Sequence, residues 1–540
     1  MKLSNEGLKD RKAWEALGYE LPEYSRDVMK AKTITSPTWI HFGGGNIFRA
    51  FQAHVAQKLL NQGISDRGIV VAEGYDTTIP EKAYHPFDNL SILVTLKSDG
   101  SVAKTVIGSI AEAYKLEHES ADDWATLAGM FRNPSLQMTS FTITEKGYQL
   151  KNAAGELFPA IAADFEAGPE KATGYMGKVS AMLYERYLAG GLPIAMVSMD
   201  NCSHNGDKLK EAMVAFAEAW EEKGLCKEGY LAYVTDASKV SFPWTMIDKI
   251  TPRPDPTVLE ILEADGVENV EPVVTGHKSF VAPFVNAEET EYLVIEDDFP
   301  NGRPALEKGG VMFADRETVE KVERMKVTTC LNPIHTALAV FGCLLGFERI
   351  SQEMKDEDLQ KLARGIGYKE GLPVVVNPGV LDPKKFIDTV IGVRLPNPFM
   401  PDTPQRIATD TSQKLPVRYG ETIKSYQASD TLDVSSLNLI PLVQAAWMRY
   451  LMGVNDAGEA FELSPDPVLE TLAPKFGALK LGEVTREDAE QLVLPLLHNE
   501  TIFGVDLVEA GLSEKVMDDF LKLTEGVGAV RRTLKNSVAE

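Results

Sequence analysis

Short apolar runs bounded by turn residues alternate with helical patterns through the first half of the chain, and long helical patterns dominate the second. The strand-like runs are "GIVVAEG" (Gly68 to Gly74), "SILVTLK" (Ser91 to Lys97), "QMTSFTITE" (Gln137 to Glu145), "PIAMVSMD" (Pro193 to Asp200) and "YLVIED" (Tyr292 to Asp297). Between them, Gly174 to Ala189 and Gly206 to Glu222 carry apolar residues at helical spacing. Alternation of this kind predicts a largely parallel sheet covered by helices. Past "EDDFPNGRPALEKGG" (Glu296 to Gly310), helices are expected at His335 to Leu345, Asp356 to Arg364, Ser436 to Met452 and Ser513 to Thr524. The pattern predicts two domains, an α/β domain over 1–300 and a mainly α-helical one over 301–540. "VRLPNPFMPDTPQRI" (Val393 to Ile407) has four prolines between Pro396 and Pro404 and reads as a stiff loop.

One segment combines all three signals. "TWIHFGGGNIFRAFQAHVAQKLL" (Thr38 to Leu60) reads as a short strand, a glycine turn and an amphipathic helix, the order in which a nucleotide-binding fold begins. Gly43 and Gly45 let the backbone approach a pyrophosphate held by free N–H groups at the helix start. Phe48 stands where a dinucleotide loop usually has its third glycine, so the loop alone is equally an ordinary strand-to-helix turn.

Composition narrows the partners. The length of 540 residues exceeds what one core serves, and 44% hydrophobic with 25% charged residues describes an ordinary globular protein. A formal charge of −24 argues against nucleic acid and anionic membranes. A small anionic substrate would then need a local basic pocket, and Arg394, Arg406, Lys414 and Arg418 gather basic charge in one stretch. The N-terminus shows no signal-peptide core, and the apolar stretch Ile334 to Phe347 is too short to span a bilayer, so a cytoplasmic location is expected. Four cysteines without C-x-x-C spacing and eight histidines without an H-x-x-x-H pair offer no zinc ligand set, so no metal is expected.

Several polar residues stand where chemistry is plausible. Glu73 and Asp76, at the end of the strand after the glycine turn, are candidates for the adenosine ribose hydroxyls, or are solvated turn acids; a carboxylate there repels the extra phosphate of NADP and favours NAD. Asp200 and Asn201 follow a predicted parallel strand, where Asn201 is placed either to donate to a developing oxyanion or simply to form a turn. In "ERMKVTTCLNPIHTALA" (Glu323 to Ala339), Lys326 precedes an apolar segment, and Asn332 and His335 share a face if that segment is helical. Burial there would make Lys326 a general base, and exposure would make it a snorkelling surface lysine.

Taken together, the segments resemble the polyol-specific long-chain dehydrogenases, the family of mannitol 2-dehydrogenase, mannitol-1-phosphate dehydrogenase and the hexuronate reductases. The landmarks in order are "FGGGNIFRAF", "TITEKGY" (Thr142 to Tyr148), "SMDN" (Ser198 to Asn201), "SFPWTMIDKITP" (Ser241 to Pro252), "IEDDFPNGRP" (Ile295 to Pro304) and "NPIH" (Asn332 to His335). The resemblance implies a Rossmann-type N-terminal domain, a mainly α-helical C-terminal domain and a metal-free active site in the cleft between them. Its loop pattern, G-x-G-N-x-x-R, adds Asn46 and Arg49 to the cofactor residues. It implies that Lys326 is the catalytic base, Asn201 and Asn332 stabilise the oxyanion, His335 orients substrate and Glu323 relays the proton. Asp248, Arg394 and Lys414 are implied substrate contacts.

The expected activity is NAD-dependent interconversion of a secondary alcohol and a ketone on an acyclic sugar acid, with D-mannonate and D-fructuronate the leading pair. Tagaturonate reduction to altronate, mannitol 2-dehydrogenase activity and a non-catalytic nucleotide sensor are the alternatives. A monomer or weak homo-oligomer is expected. One departure from the resemblance stands out: Lys326 and Asn332 are six residues apart, one more than in better-known members. On a continuous helix the extra residue rotates the lysine by about 100°. Either a helix starting at Pro333 or a bulge between Val327 and Leu331 is expected to absorb it.

Overall fold

Six strands, β1 (Trp39–Phe42), β2 (Ile69–Glu73), β3 (Ile110–Lys115), β4 (Met138–Phe141), β5 (Ile194–Ser198) and β6 (Val240–Ser241), form one sheet in the order β3-β2-β1-β4-β5-β6. Every pairing in it is parallel. The computed structural model describes residues 1–539 and divides into two units, Met1–Lys97 with Ser101–Glu320, and Ser98–Gly100 with Lys321–Glu540. In the first unit β1, β2, β4 and β5 are buried along their whole length, because helices cover both faces. Ile40, Phe42, Val70 and Ala72 pack under Met176, Met182, Phe216 and Trp220 from two helices, Tyr175–Leu188 and Asn205–Glu222. Val71, Met138, Ala195 and Val197 face the other way, against Phe48, Ala53 and Val55.

The strand order reverses between β1 and β4, and ligands of such sheets bind in the crevice that this reversal opens at the strands' carboxyl ends. The glycine turn follows β1 there, and Thr142 follows β4. Two expected strands lie outside the parallel sheet. Ser91–Leu96 pairs antiparallel with Val102–Ile107 and parallel with Phe284–Glu288, and Tyr292–Glu296 pairs antiparallel with Thr245–Asp248. Strand β3, "IAEAYK", carries charge in its middle and at its end and gives a poor apolar run, as suits an edge strand.

The second unit is helical, with no named strand among its described residues. Its core is built on the helix Asn332–Leu345, buried from Thr336 to Leu344, and on Leu439–Tyr450, buried throughout. The other expected helices fall at Glu357–Arg364, with the Asp356 carboxylate capping its start, and at Ser513–Thr524. The apolar stretch around Ile334 belongs to a 30-residue helical run, Arg316–Leu345, whose most apolar window is 83% buried, as in a core helix. Four π turns widen the helices of this unit, at Lys326–Cys330, Gly365–Gly371, Val390–Arg394 and Pro416–Gly420.

Candidate functional site

Each of the three loop glycines has a different constraint. Gly43 has φ +97°, and a Cβ on it would come within 2.6 Å of the Thr142 carbonyl oxygen, so only glycine fits. Gly44 is held from both sides: its N–H donates to the Glu73 carboxylate at 2.7 Å, and its carbonyl accepts from the Tyr84 hydroxyl at 2.7 Å. Gly45 is the open position, since a Cβ there would meet nothing within 4 Å. It faces a cavity of about 590 Å³ lined also by Gly43, Asn46, Glu73, Thr142, Tyr175 and Phe280.

The helix that leaves this turn begins at Asn46, passes through a π turn at Phe48–Gln52 and continues to Asn61. Phe48, at the position of the missing glycine, is fully buried and stacks on His41, ring centroids 4.1 Å apart. An aromatic anchor thus replaces close helix–strand packing as the use of that position. Arg49 is also buried and does not line the cavity; its guanidinium donates to the Ala282 carbonyl at 2.6 Å and to the Asn46 side-chain oxygen at 3.0 Å. It positions Asn46, which does line the cavity. An open glycine at a helix start beside a cavity suits a pyrophosphate, so the residues present fit a dinucleotide.

The two acids after β2 have separate fates. The Glu73 carboxylate lines the cavity yet accepts three backbone N–H groups, from Gly44, Tyr75 at 2.9 Å and Asp76 at 3.1 Å. Burial raises its pKa, against the pull of those three donors. Asp76 does not reach the cavity as expected from the sequence, because it is fully buried and accepts from the Thr275 hydroxyl and from Thr78 at 2.7 Å. It ties the hairpin of Val273–Val274 and Phe280–Val281 to the turn after β2.

At the end of β5, the Asp200 carboxylate accepts the N–H groups of Ile143 at 2.9 Å and Thr144 at 2.8 Å and the Tyr148 hydroxyl at 2.6 Å. It fixes the loop after β4, and leaves the next residue, Asn201, exposed on the turn. Asp248 ends the strand Thr245–Asp248 and is 5% exposed.

In the second unit Glu323 lies half-buried on Arg316–Met325, and Lys326 opens the first π turn with 5% of its surface exposed. The turn closes by a hydrogen bond from the Leu331 N–H to the Lys326 carbonyl, 3.1 Å, and α-helix resumes at Asn332 with Pro333 in its first turn. The expected bulge and the expected restart at Pro333 are thus one feature.

His335 sits one turn further on. Its Nε2 is buried without a hydrogen-bond partner, the nearest carboxylate being Asp402 at 3.6 Å. Burial lowers its pKa to about 4; Asp402 pulls upward, while Arg418, Arg394 and Arg406 push further down. The charges of three guanidiniums therefore bear on a neutral imidazole. Arg418 donates to the Thr336 hydroxyl, and Arg406 pairs with Asp402. Lys414 is spent locally, donating to the carbonyls of Ile407 and Thr409, and burial lowers its pKa to about 8. Its expected contact with substrate is not visible in that geometry. Asp402 and Thr336 went unremarked in the sequence, where neither departs from its surroundings.

A strand-order reversal beside an open glycine at a helix start defines a Rossmann-type dinucleotide-binding protein. Comparison with known proteins sharpens this. The mannitol dehydrogenase Rossmann domain matches residues 37–308, and the mannitol dehydrogenase C-terminal domain matches residues 318–524. A D-mannonate oxidoreductase from Thermotoga maritima is 51% identical over 540 residues, covering 100% of this chain and 99% of that one. One from Escherichia coli is 29% identical over 453 residues, covering 81% and 86%. Among solved structures, a D-sorbitol dehydrogenase in substrate-free form superimposes with TM-score 0.78 at 25% identity, covering 95% of this chain and 97% of that one. Pseudomonas fluorescens mannitol 2-dehydrogenase, in ternary complex with NAD and D-mannitol, gives TM-score 0.67 at 27% identity over the whole of both chains. The chain belongs to the mannitol dehydrogenase family, and it is an oxidoreductase.

Proposed function

We propose that the chain is an NAD-dependent dehydrogenase that interconverts D-mannonate and D-fructuronate. The observation that carries the choice of a sugar acid is the surroundings of His335, an orphaned imidazole nitrogen amid Arg394, Arg406 and Arg418 with Asp402 as the facing acid. A neutral histidine among guanidiniums suits a substrate that brings hydroxyls and a carboxylate together, the guanidinium fork matching the carboxylate. The relative named D-mannonate oxidoreductase, 51% identical along the full length, supports the same substrate. The cavity at Gly45 and the carboxylate at Glu73 support NAD.

A dinucleotide held at Gly43, Gly45 and Asn46 would supply the hydride acceptor for oxidation and, reduced, the hydride donor for the reverse reaction. Lys326 takes the hydroxyl proton as the carbinol carbon gives up hydride, so the carbinol loses one proton and one hydride, the hydride carrying both electrons, and becomes the ketone. Glu323, three residues before it, passes that proton outward. Asn201 and Asn332 donate to the oxygen as it gains negative charge, without supplying a proton. His335, neutral at physiological pH, orients substrate hydroxyls; Asp248 and Arg394 complete the contacts. Following NADH and NADPH oxidation against fructuronate, tagaturonate and fructose tests the proposal. Fructuronate with NADH should be turned over fastest, and equal activity on neutral fructose would remove the anion-binding pocket.

A further inference from the structure

A buried hydrogen-bond chain runs beneath the glycine turn. Trp39 Nε1 donates to Ser140 Oγ at 2.7 Å, Ser140 Oγ lies 2.6 Å from His41 Nδ1, and His41 Nε2 lies 2.9 Å from Thr142 Oγ1. The direction of the chain follows from what each group can do. An indole N–H only donates, so it fills a lone pair of Ser140. Ser140 is fully buried, and among the described residues its hydroxyl proton has one acceptor, His41 Nδ1. The imidazole proton therefore sits on Nε2 and is donated to Thr142. Burial holds this ring neutral, with its pKa near 3.

With a lone pair of Thr142 Oγ1 already filled by His41, the hydroxyl offers its own proton. Its acceptor within the protein is the Gly43 carbonyl at 3.5 Å, at the limit of hydrogen bonding. Thr142 stands after β4, across the strand-order reversal from Gly43, and lines the cavity that Gly45 faces. We propose that Thr142 is a cofactor-binding residue that donates its hydroxyl proton to an oxygen of the dinucleotide, and that His41 and Ser140 are positioning residues that fix the direction of that donor. The inference rests on the cofactor reading above and adds a donor to it. Phe48 contributes by stacking on His41, which holds the ring plane between Ser140 and Thr142.

The test measures NADH affinity by fluorescence titration of the full-length protein, independent of turnover. Thr142→Val should weaken NADH binding about tenfold, Thr142→Ser should retain it, and Ser140→Ala should weaken it several-fold by releasing the tautomer. Thr142→Ala, which introduces no bulk against His41, replaces the valine variant if that one fails to fold. Nitrogen NMR of the histidine rings gives a second readout: the His41 ring, assigned as the imidazole signal lost in His41→Asn, should remain in the Nε2-protonated neutral form at pH 5 and change in Ser140→Ala. If the wild type binds no NADH, the cofactor reading falls. If it binds NADH and the Thr142 variants bind equally well, the proposal falls and the cofactor reading stands. An Nδ1-protonated His41 ring in the wild type overturns the proposal by itself.

Discussion

The Leu331 amide donates to the Lys326 carbonyl five residues back, at 3.1 Å, and that bond closes a π turn where the spacing between Lys326 and Asn332 carries one residue too many. A π turn holds one more residue than an α turn, so it takes up the insertion and returns the following helix to register. Asn332 then occupies the angular position of a five-residue spacing on an uninterrupted helix. The turn places Lys326 at its opening residue, 5% exposed.

Replacing Lys326 tests its assignment. Lys326→Ala should lower kcat by about 10³-fold, within the range of a lost general base, while the Kd for NADH changes little. Retained turnover would exclude Lys326 as the base. A wild type with NADH affinity but no turnover on any sugar acid or polyol would favour a nucleotide sensor.

Charge around His335 should decide substrate preference. Arg418→Met and Arg394→Met should each raise KM for fructuronate about tenfold or more, and leave whatever turnover of fructose the wild type shows nearly unchanged. A loss of equal size on both substrates would show that the guanidiniums support the fold rather than grip a carboxylate.

The glycine turn makes a sharper contrast between neighbours. Gly43→Ala adds a Cβ against the Thr142 carbonyl at a φ of +97° and should cost about 1–3 kcal/mol of stability, visible in urea unfolding. Gly45→Ala adds the same methyl to open space, so it should fold normally and lose NADH affinity instead. Two variants with the same defect would refute the division of labour.

His335 links stability to pH. Its folded pKa, about 4, lies below the ordinary 6.5, so between those values the unfolded chain holds a proton that the folded chain does not. The contribution is fully present above pH 6.5 and is lost as pH falls toward 4, by about 1–3 kcal/mol. Glu73 and Asp200, with raised pKa values, act in the opposite sense, so the comparison must be made between variants. Wild type should lose stability relative to His335→Gln over that interval. A constant difference between the two would rule out a buried neutral His335.

Much of this was legible in the chain, for reasons that differ by element. The strands β2, β4 and β5 announce themselves as apolar runs because they are buried on both faces, and the helices Glu357–Arg364 and Ser513–Thr524 because their faces differ. The glycine turn was visible through Gly43 and Gly45. Of the π turns in the second unit, the one at Lys326 was foreshadowed by the spacing to Asn332; those holding Arg394 and Arg418 were not, since a wider turn leaves no compositional trace. Asp76 misled because its hairpin partner, Thr275, lies almost two hundred residues away. Nothing local distinguishes a carboxylate that faces a cavity from one that pins a distant strand.

Glu73 has a practical consequence for redesign. Its carboxylate closes the loop through Gly44, Tyr75 and Asp76 as well as lining the cavity. Exchanging it for a small or basic residue to admit a phosphorylated dinucleotide would leave those amides without their acceptor and loosen the turn that presents Gly45. An engineer seeking a different coenzyme would do better to keep Glu73 and reshape the wall at Tyr75 and Phe280, which line the same cavity.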